Sequence, residues 1–533
     1  MPLFFLLLLL DWQSGTVADS TLSGTAADST TGAALSKVRV VAEPVNHRSE
    51  PFSTVTDEKG RFTLEHLPPG EYRLRGTRNG YLPSYYGARH AGSKGITLTV
   101  DAGGEQKDLA LKLFPFAVIA GTVRDPEGEP LVAARVALIA VRYRNGIRQL
   151  QATGDYGTTD DLGQFRIPGV RPGHYYLKAA AEDDDERPAP VDRSPGDAPA
   201  PLTLIPTFYP AAREPGAARR IDVAAGDRFT GADVTLLRSR LYRVRVKLEG
   251  PAGMPKGVGL HPRPELSDGL GPNPPGDCEK GICVFARVPN GSYSAVASTG
   301  PRNPTMEEMF SNSSQTSVSV PVDVAGADVD GVVVTIGAPA EIDGRIAGDR
   351  EKMRVEFVDA EGSEHSARFA ADGSFTASLS PGRYEVWVNA GGSDLVATAI
   401  RSEDTDVLRD GLTVARPGKL PLEITLSHDG ARIDGVVHDQ ADKPVAGATV
   451  VLIPEPRLRF RHDLYQEANT DQLGRYHFAP VTPGEYKLFA WADIEEGLWF
   501  DADFLKDAER QGLEIAIDAR GHAVANLKLP AEK

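Results

Sequence analysis

The sequence predicts an all-β protein, a tandem array of about five seven-stranded antiparallel β-sandwich modules. Three observations carry this. A Pro-Gly-x-Tyr or Asn-Gly-x-Tyr turn recurs at Gly70, Gly173, Gly291, Gly382 and Gly484, at intervals of 103, 118, 91 and 102 residues. That period is too long for one solenoid repeat and suits one small domain. A second turn, Thr-Asp-x-x-Gly, precedes the first in Thr56-Asp57-Glu58-Lys59-Gly60, Thr159-Asp160-Asp161-Leu162-Gly163 and Thr470-Asp471-Gln472-Leu473-Gly474, with a shortened form at Asp372-Gly373. Here the Asp side chain closes an Asx-type turn and the glycine takes the positive φ of a hairpin. Apolar and polar residues then alternate, as in Tyr486-Lys487-Leu488-Phe489-Ala490-Trp491, the pattern of a strand with one buried face.

In chain order, residues 3–10 are an unbroken apolar run closed by Asp11. It is too short to span a bilayer and fits the core of a secretory leader, 1–17, or else a hydrophobic first strand. The modules follow at 18–118, 119–239, 240–338, 339–428 and 429–533. Each opens with a strand such as 432–437, turns into a second apolar strand such as 448–453, and closes with two strands around a glycine, such as 96–100 with 109–113 or 513–517 with 524–529. The third module keeps only Cys283-Val284-Phe285 before Asn290-Gly291 and is the most diverged. Helix is scarce: residues 501–511 are the best candidate, with Asp501 as cap, Lys506 and Arg510 late, and Gly512 as stop. The acidic run 182–186 and the proline-rich 187–201 read as an exposed loop or linker.

The two cysteines, Cys278 and Cys283, flank a turn containing Gly281. In an exported chain they form a small disulfide loop; two free thiols are the alternative. A metal site would need further soft ligands, so neither metal nor cofactor is expected. The formal net charge of −16 argues against a nucleic-acid partner, and a single apolar run argues against a multi-pass membrane protein.

At this point the residues resemble a known family. The string Gly121-Thr122-Val123-Arg124-Asp125-Pro126-Glu127-Gly128-Glu129-Pro130-Leu131, then Ala134-Arg135-Val136-Ala137-Leu138, followed by both turns, resembles the carboxypeptidase regulatory-like domain. The last module repeats it in Gly435-Val436-Val437-His438-Asp439 and Pro444-Val445-Ala446-Gly447-Ala448-Thr449-Val450. The resemblance implies a transthyretin-like (prealbumin/Ig-like) sandwich related to collagen-binding B-type repeats, in chains similar to multi-copy exported bacterial proteins. B-type repeats sometimes carry a Lys–Asn crosslink, but the first strands here, 120–123 and 432–437, hold no lysine and none is expected.

No enzyme is expected. His47-Arg48-Ser49-Glu50 matches the His-x-x-Glu zinc pair by letter, yet no catalytic domain remains to complete the site. His-Glu-x-x-His, Gly-x-Ser-x-Gly and P-loop patterns are absent. Candidate ligand residues fall in three groups. The connection after the second strand carries His47 and Arg48 in the first module, Arg142, Arg144 and Arg148 in the second, and Arg457, Arg459, Arg461 and His462 in the fifth. Alternation in Arg457-Leu458-Arg459-Phe460-Arg461 puts three guanidiniums on one face, suited to an anionic polysaccharide, or to a plain solvated strand face. Trp491 and Trp499 with Phe500 and Phe504, edged by acids, form either a sugar platform or a helix packed on the sandwich. Tyr85-Tyr86 and Phe208-Tyr209 stack on sugar or cover a sandwich end. The expectation is an exported, non-catalytic protein in the periplasm, at the outer-membrane surface or outside the cell, whose partner is a polysaccharide or an envelope protein. Carbohydrate binding leads, and the alternative is a structural or protein-interaction rod. Exposed Trp491 or Trp499 favours the first, and buried aromatics favour the second.

Overall fold

A computed structural model describes residues 20–45, 50–182, 202–250, 258–263, 270, 276–298, 317–347, 353–360, 362–370, 372–389 and 394–530. The leader, His47 and Arg48, and the acidic and proline-rich segment from 183 to 201 lie outside them, as does the side chain of Arg144. Contacts divide the chain into two compact units, Met1–Pro115 and Phe116–Lys533.

Strands dominate both units, and the described residues form ten sheets. In the fifth sandwich one sheet orders Arg475–Val481, Ala431–His438 and His522–Val524, and the facing sheet orders Gln466–Asn469, Thr449–Pro454, Gly484–Trp491 and Leu513–Ile517. The second sandwich repeats this with Gln164–Val170, Ala117–Arg124 and Arg228–Thr230 against Ile147–Thr158, Arg135–Arg144 and Gly173–Ala180. The pairing is antiparallel with one regular exception. The opening strand runs parallel to the closing one in every sandwich: Ser20–Asp28 with Glu105–Leu113, Ala117–Arg124 with Arg228–Thr230, Leu237–Glu249 with Val329–Thr335, Ala340–Ala347 with Gly418–Ser427, and Ala431–His438 with His522–Val524. That close approach explains the glycine in the opening strand. A Cβ on Gly24, Gly121 or Gly435 would collide with the carbonyl of Leu109, Ala232 or Ala525.

Each sandwich closes over its own apolar core, drawn from residues 22–113, 117–236, 244–336, 340–426 and 431–529. The recurring turns tie the cores shut. Asp57, Asp160 and Asp471 each accept two backbone N–H bonds within four residues, at 2.8–3.0 Å, and Gly60, Gly163 and Gly474 sit at φ of 71–73°. The preceding threonines are buried: Thr56, Thr159 and Thr470 each donate to a backbone carbonyl (Leu35, Leu131, Val445) and accept from a backbone N–H (Val38, Ala134, Ala448). The tyrosine two places after each recurring glycine donates its hydroxyl to the carbonyl four residues back, in each of the five sandwiches that the described residues form. The pairs are Tyr72–Pro68, Tyr175–Arg171, Tyr293–Pro289, Tyr384–Ser380 and Tyr486–Thr482, at 2.8–3.0 Å.

Cys278 and Cys283 are bonded directly across a hairpin in the third sandwich. The predicted helix forms over Ala502–Ala508, and Asp501 caps it by accepting from the N–H of Asp503 and Phe504. Gly512 ends it for a reason other than expected. Its backbone is extended, and a Cβ there would strike the Phe489 ring.

Candidate functional site

Within the second unit, the connections after the second strand of the second and fifth sandwiches meet. In the second sandwich, Arg135–Arg144 and Ile147–Thr158 turn at Asn145 and Gly146, both with positive φ, the two-residue hairpin that Asn-Gly favours. The Tyr143 hydroxyl at its tip donates to Asp501 Oδ2 at 3.1 Å, and its ring lies 6.4 Å from Phe500. Asn145 Nδ2 donates to Gly362 O and Glu364 Oε1 of the fourth sandwich, at 3.0 and 2.7 Å. Gly146 faces the His462 imidazole so closely that any Cβ would overlap the ring. The Phe504 N–H above all, together with Tyr143, holds Asp501 below the usual carboxylate range, while burial and the Asp501 charge push Tyr143 up to about 12.

The fifth sandwich reaches the junction differently. Residues 457–461 are expected to be a strand with three guanidiniums on one face. They are a turn instead, leaving the short 3-10 segment Pro456–Leu458 and leading to a second at His462–Leu464, because Pro456 cannot donate to a ladder. The three arginines therefore part. Arg461 is buried, bidentate to Asp463 at 2.8 and 2.6 Å, with its third nitrogen on Leu408 O at 3.0 Å. Burial opposes its charge, and Asp463 outweighs burial, so Arg461 titrates above its ordinary range. Arg459 donates to Glu509 at 2.7 Å, beside Lys487 on the same carboxylate. Arg457 is exposed, and no partner binds it among the described residues. His462 Nδ1 lies 3.0 Å from Glu385 Oε1 of the fourth sandwich, whose Oε2 accepts from Trp387 Nε1 at 2.9 Å.

Beside this junction a cleft of about 770 Å³ opens between the fourth and fifth sandwiches. Leu408, Leu458, Leu464, Pro454, Pro483 and Tyr486 supply apolar lining. Arg409, Asp410, Glu455, Arg457 and Glu485 stand on it with side chains that no described residue engages.

The other expected ligand residues are placed as follows. Trp491 and Trp499 are 9 % and 5 % exposed, in an apolar cluster with Phe489, Leu505 and Ala508 on the outer face of the fifth sandwich. Trp491 stacks on Phe489 at 5.4 Å. The platform expected for sugar is thus the underside of a helix, because the strand's alternation has an apolar outer face that must be covered. Phe500 is half-buried among Tyr143, His462 and Tyr465. Tyr86 packs on the first core, Tyr85 stands half-buried beside Gly95, and Phe208 and Tyr209 are buried. Arg142 is exposed, its guanidinium turned back to the Val141 carbonyl. Sequence reading missed Tyr143, Asn145, Glu385 and Trp387. Asn145-Gly146 was legible as a hairpin turn, but nothing local names the surface it meets. Among the described residues no group of three His, Cys, Asp or Glu side chains is arranged to hold a metal, and no helix is long and apolar enough to cross a membrane.

No curated protein matches this chain in sequence. Among solved structures, the Bacillus anthracis TIE protein is similar at 13 % identity over 77 % of this chain and 69 % of its own, with a TM-score of 0.15. GBS52, the minor pilin of Streptococcus agalactiae, is similar at 12 % identity over 41 % of this chain and 95 % of its own, TM-score 0.22. The shaft pilin SpaA from Lactobacillus rhamnosus GG is similar at 14 % identity over 40 % of this chain and 97 % of its own, TM-score 0.20. Likenesses of that size carry no argument about function. The family signature is firmer: the carboxypeptidase regulatory-like domain matches residues 21–112 and 118–200, the first two copies of the repeating unit. These two copies are carboxypeptidase regulatory-like domains, and the later sandwiches repeat the Gly-x-Tyr device, the fifth with the Thr-Asp turn as well.

Proposed function

We propose that this is an exported, non-catalytic scaffold protein of the cell envelope that works by holding a protein partner. One observation carries the choice over sugar binding: the indoles of Trp491 and Trp499 are enclosed, so neither offers a face on which a sugar ring could stack. The arginines tell the same way, since Arg459 and Arg461 spend their charge on Glu509 and Asp463. The apolar run at 3–10 and the cystine support an exported location. Arg142 and Arg457, both solvent-facing, favour a second reading, an anionic polysaccharide ligand.

The two readings part in a depletion assay of the purified chain against isolated envelopes of the source organism. Envelopes are left intact, shaved with protease, or treated with periodate, which cleaves sugar diols. Depletion that protease abolishes and periodate spares is expected. Depletion that survives protease and falls with periodate would transfer the assignment to carbohydrate.

A further inference from the structure

We propose that the cleft between the fourth and fifth sandwiches seats an extended peptide segment of another protein, one bearing both acidic and basic side chains. This rests on the protein-partner reading above and names its site. The cleft's volume of about 770 Å³ is within the range of built ligand sites. Two further features narrow the occupant.

The first is an incomplete sheet edge. Strand Val396–Ser402 pairs along one side with Gly418–Ser427, from Val396 to Arg401. On its other side it pairs, among the described residues, at Arg401 and Ser402 alone, with the short strand Thr405–Asp406. The helix Val407–Asp410 then follows and packs against it. Ala397 and Thr398 line the cleft; they face Gly418–Ser427 on one edge, with the register shifting at Thr398, and no strand among the described residues on the other. An open strand edge within a cleft is a template for strand addition, in which main-chain bonds supply affinity and side-chain pockets supply choice.

The second is charge. The unengaged groups are Arg409 and Arg457 against Asp410, Glu455 and Glu485, on both walls. A polyanionic chain would place its carboxylates against three others, and a polycation would meet two guanidiniums. A peptide with both signs can answer each group, while its apolar residues rest on Leu408, Leu458 and Tyr486.

The test pans a phage-displayed library of short random linear peptides on the full chain and counter-selects on an Arg457→Glu variant. Arg457 is exposed and unengaged, so the variant keeps its fold, which unchanged amide exchange in the fourth and fifth sandwiches checks. Peptides surviving counter-selection are expected to alternate apolar residues with charges of both signs. As synthetic peptides they are expected to lose about tenfold in affinity on Arg457→Glu. They should lose as much on N-methylation of alternate amides, and they should weaken on Thr398→Pro, which an exposed edge tolerates. A library that yields no peptide sensitive to Arg457→Glu, or peptides indifferent to both Thr398→Pro and N-methylation, overturns the proposal. Envelope depletion by the Arg457→Glu chain separates the two readings. Protease-sensitive depletion unchanged by the variant keeps the protein partner and removes the cleft as its seat. Periodate-sensitive depletion removes the protein partner itself.

Discussion

The second and fifth sandwiches share an interior and differ in their outer faces. Inside, Thr159 and Thr470 make the same pair of backbone bonds, Asp160 and Asp471 close the same turn, and Tyr175 and Tyr486 reach the same carbonyl four residues back. Outside, Ile139 and Leu150 of the second sandwich are covered by Phe208 and Ala212 from the segment beyond its fifth strand, whereas Val451 and Phe489 of the fifth are covered by Trp491, Trp499 and a capped helix. The repeat is thus a recipe for closing a sandwich. What lies on top of it differs from copy to copy, and that is where neighbouring sandwiches of the chain meet. In the second unit this leaves sandwiches touching that are not consecutive: the second meets both the fourth and the fifth.

This contrast can be broken first by enlarging the outer face's cost. Trp499→Ala is expected to destabilise the fifth sandwich by about 3–5 kcal/mol, the range for a buried aromatic cut to alanine. Amide exchange should then quicken in the strand Gly484–Trp491 and stay unchanged in Gly173–Ala180; exchange is the right readout because a chain of several sandwiches has no single unfolding transition. Equal quickening in both would deny that the outer faces are independent.

The interior makes the opposite forecast. Thr470→Val and Thr159→Val each strand a buried N–H and a carbonyl, so each should cost about 1–3 kcal/mol, alike in the two sandwiches. A difference well beyond that spread, read from urea denaturation followed by exchange, would mean the repeated interior is not equivalent.

The junction adds a pH dependence. Tyr143 has its pKa raised to about 12, so its contribution is full below the ordinary tyrosine value of about 10 and is lost as pH rises through about 12. Asp501 is held low, so its contribution is present above the ordinary carboxylate range and lost only as pH falls below it. A spectrophotometric titration of the tyrosines is expected to show one phenol ionising near pH 12, and Tyr143→Phe should remove that step. A step that persists in the phenylalanine chain would assign it elsewhere. The smallest effect belongs to Arg457→Ala, within about 0.5 kcal/mol by amide exchange in the fifth sandwich, as for any exposed side chain without a partner. A larger loss would show that Arg457 has structural work inside unit Phe116–Lys533.

Legibility followed the range of the interaction. The Asx turns, the glycine at φ near 70° and the Asp501 cap were readable because each acts within four residues. The Gly-x-Tyr signal was readable as a repeat, and its cause is equally local, a hydroxyl meeting a carbonyl one turn back. Residues 457–461 misled because their alternation satisfies a strand by period, while Pro456 just before them denies it a ladder bond. Trp491 and Trp499 read two ways because aromatic residues at strand and helix spacing look the same whether a surface arrives to cover them or not.

Local chemistry therefore settled the unit of this protein: its turns, its cystine hairpin, its strand alternation and the number of times the motif returns. Tertiary structure alone decided which surfaces became interior. Tyr143 and Asp501 are 358 residues apart, and Arg461 reaches a carbonyl 53 residues before it. Burial is a property of two surfaces at once, so no stretch of sequence carries it alone.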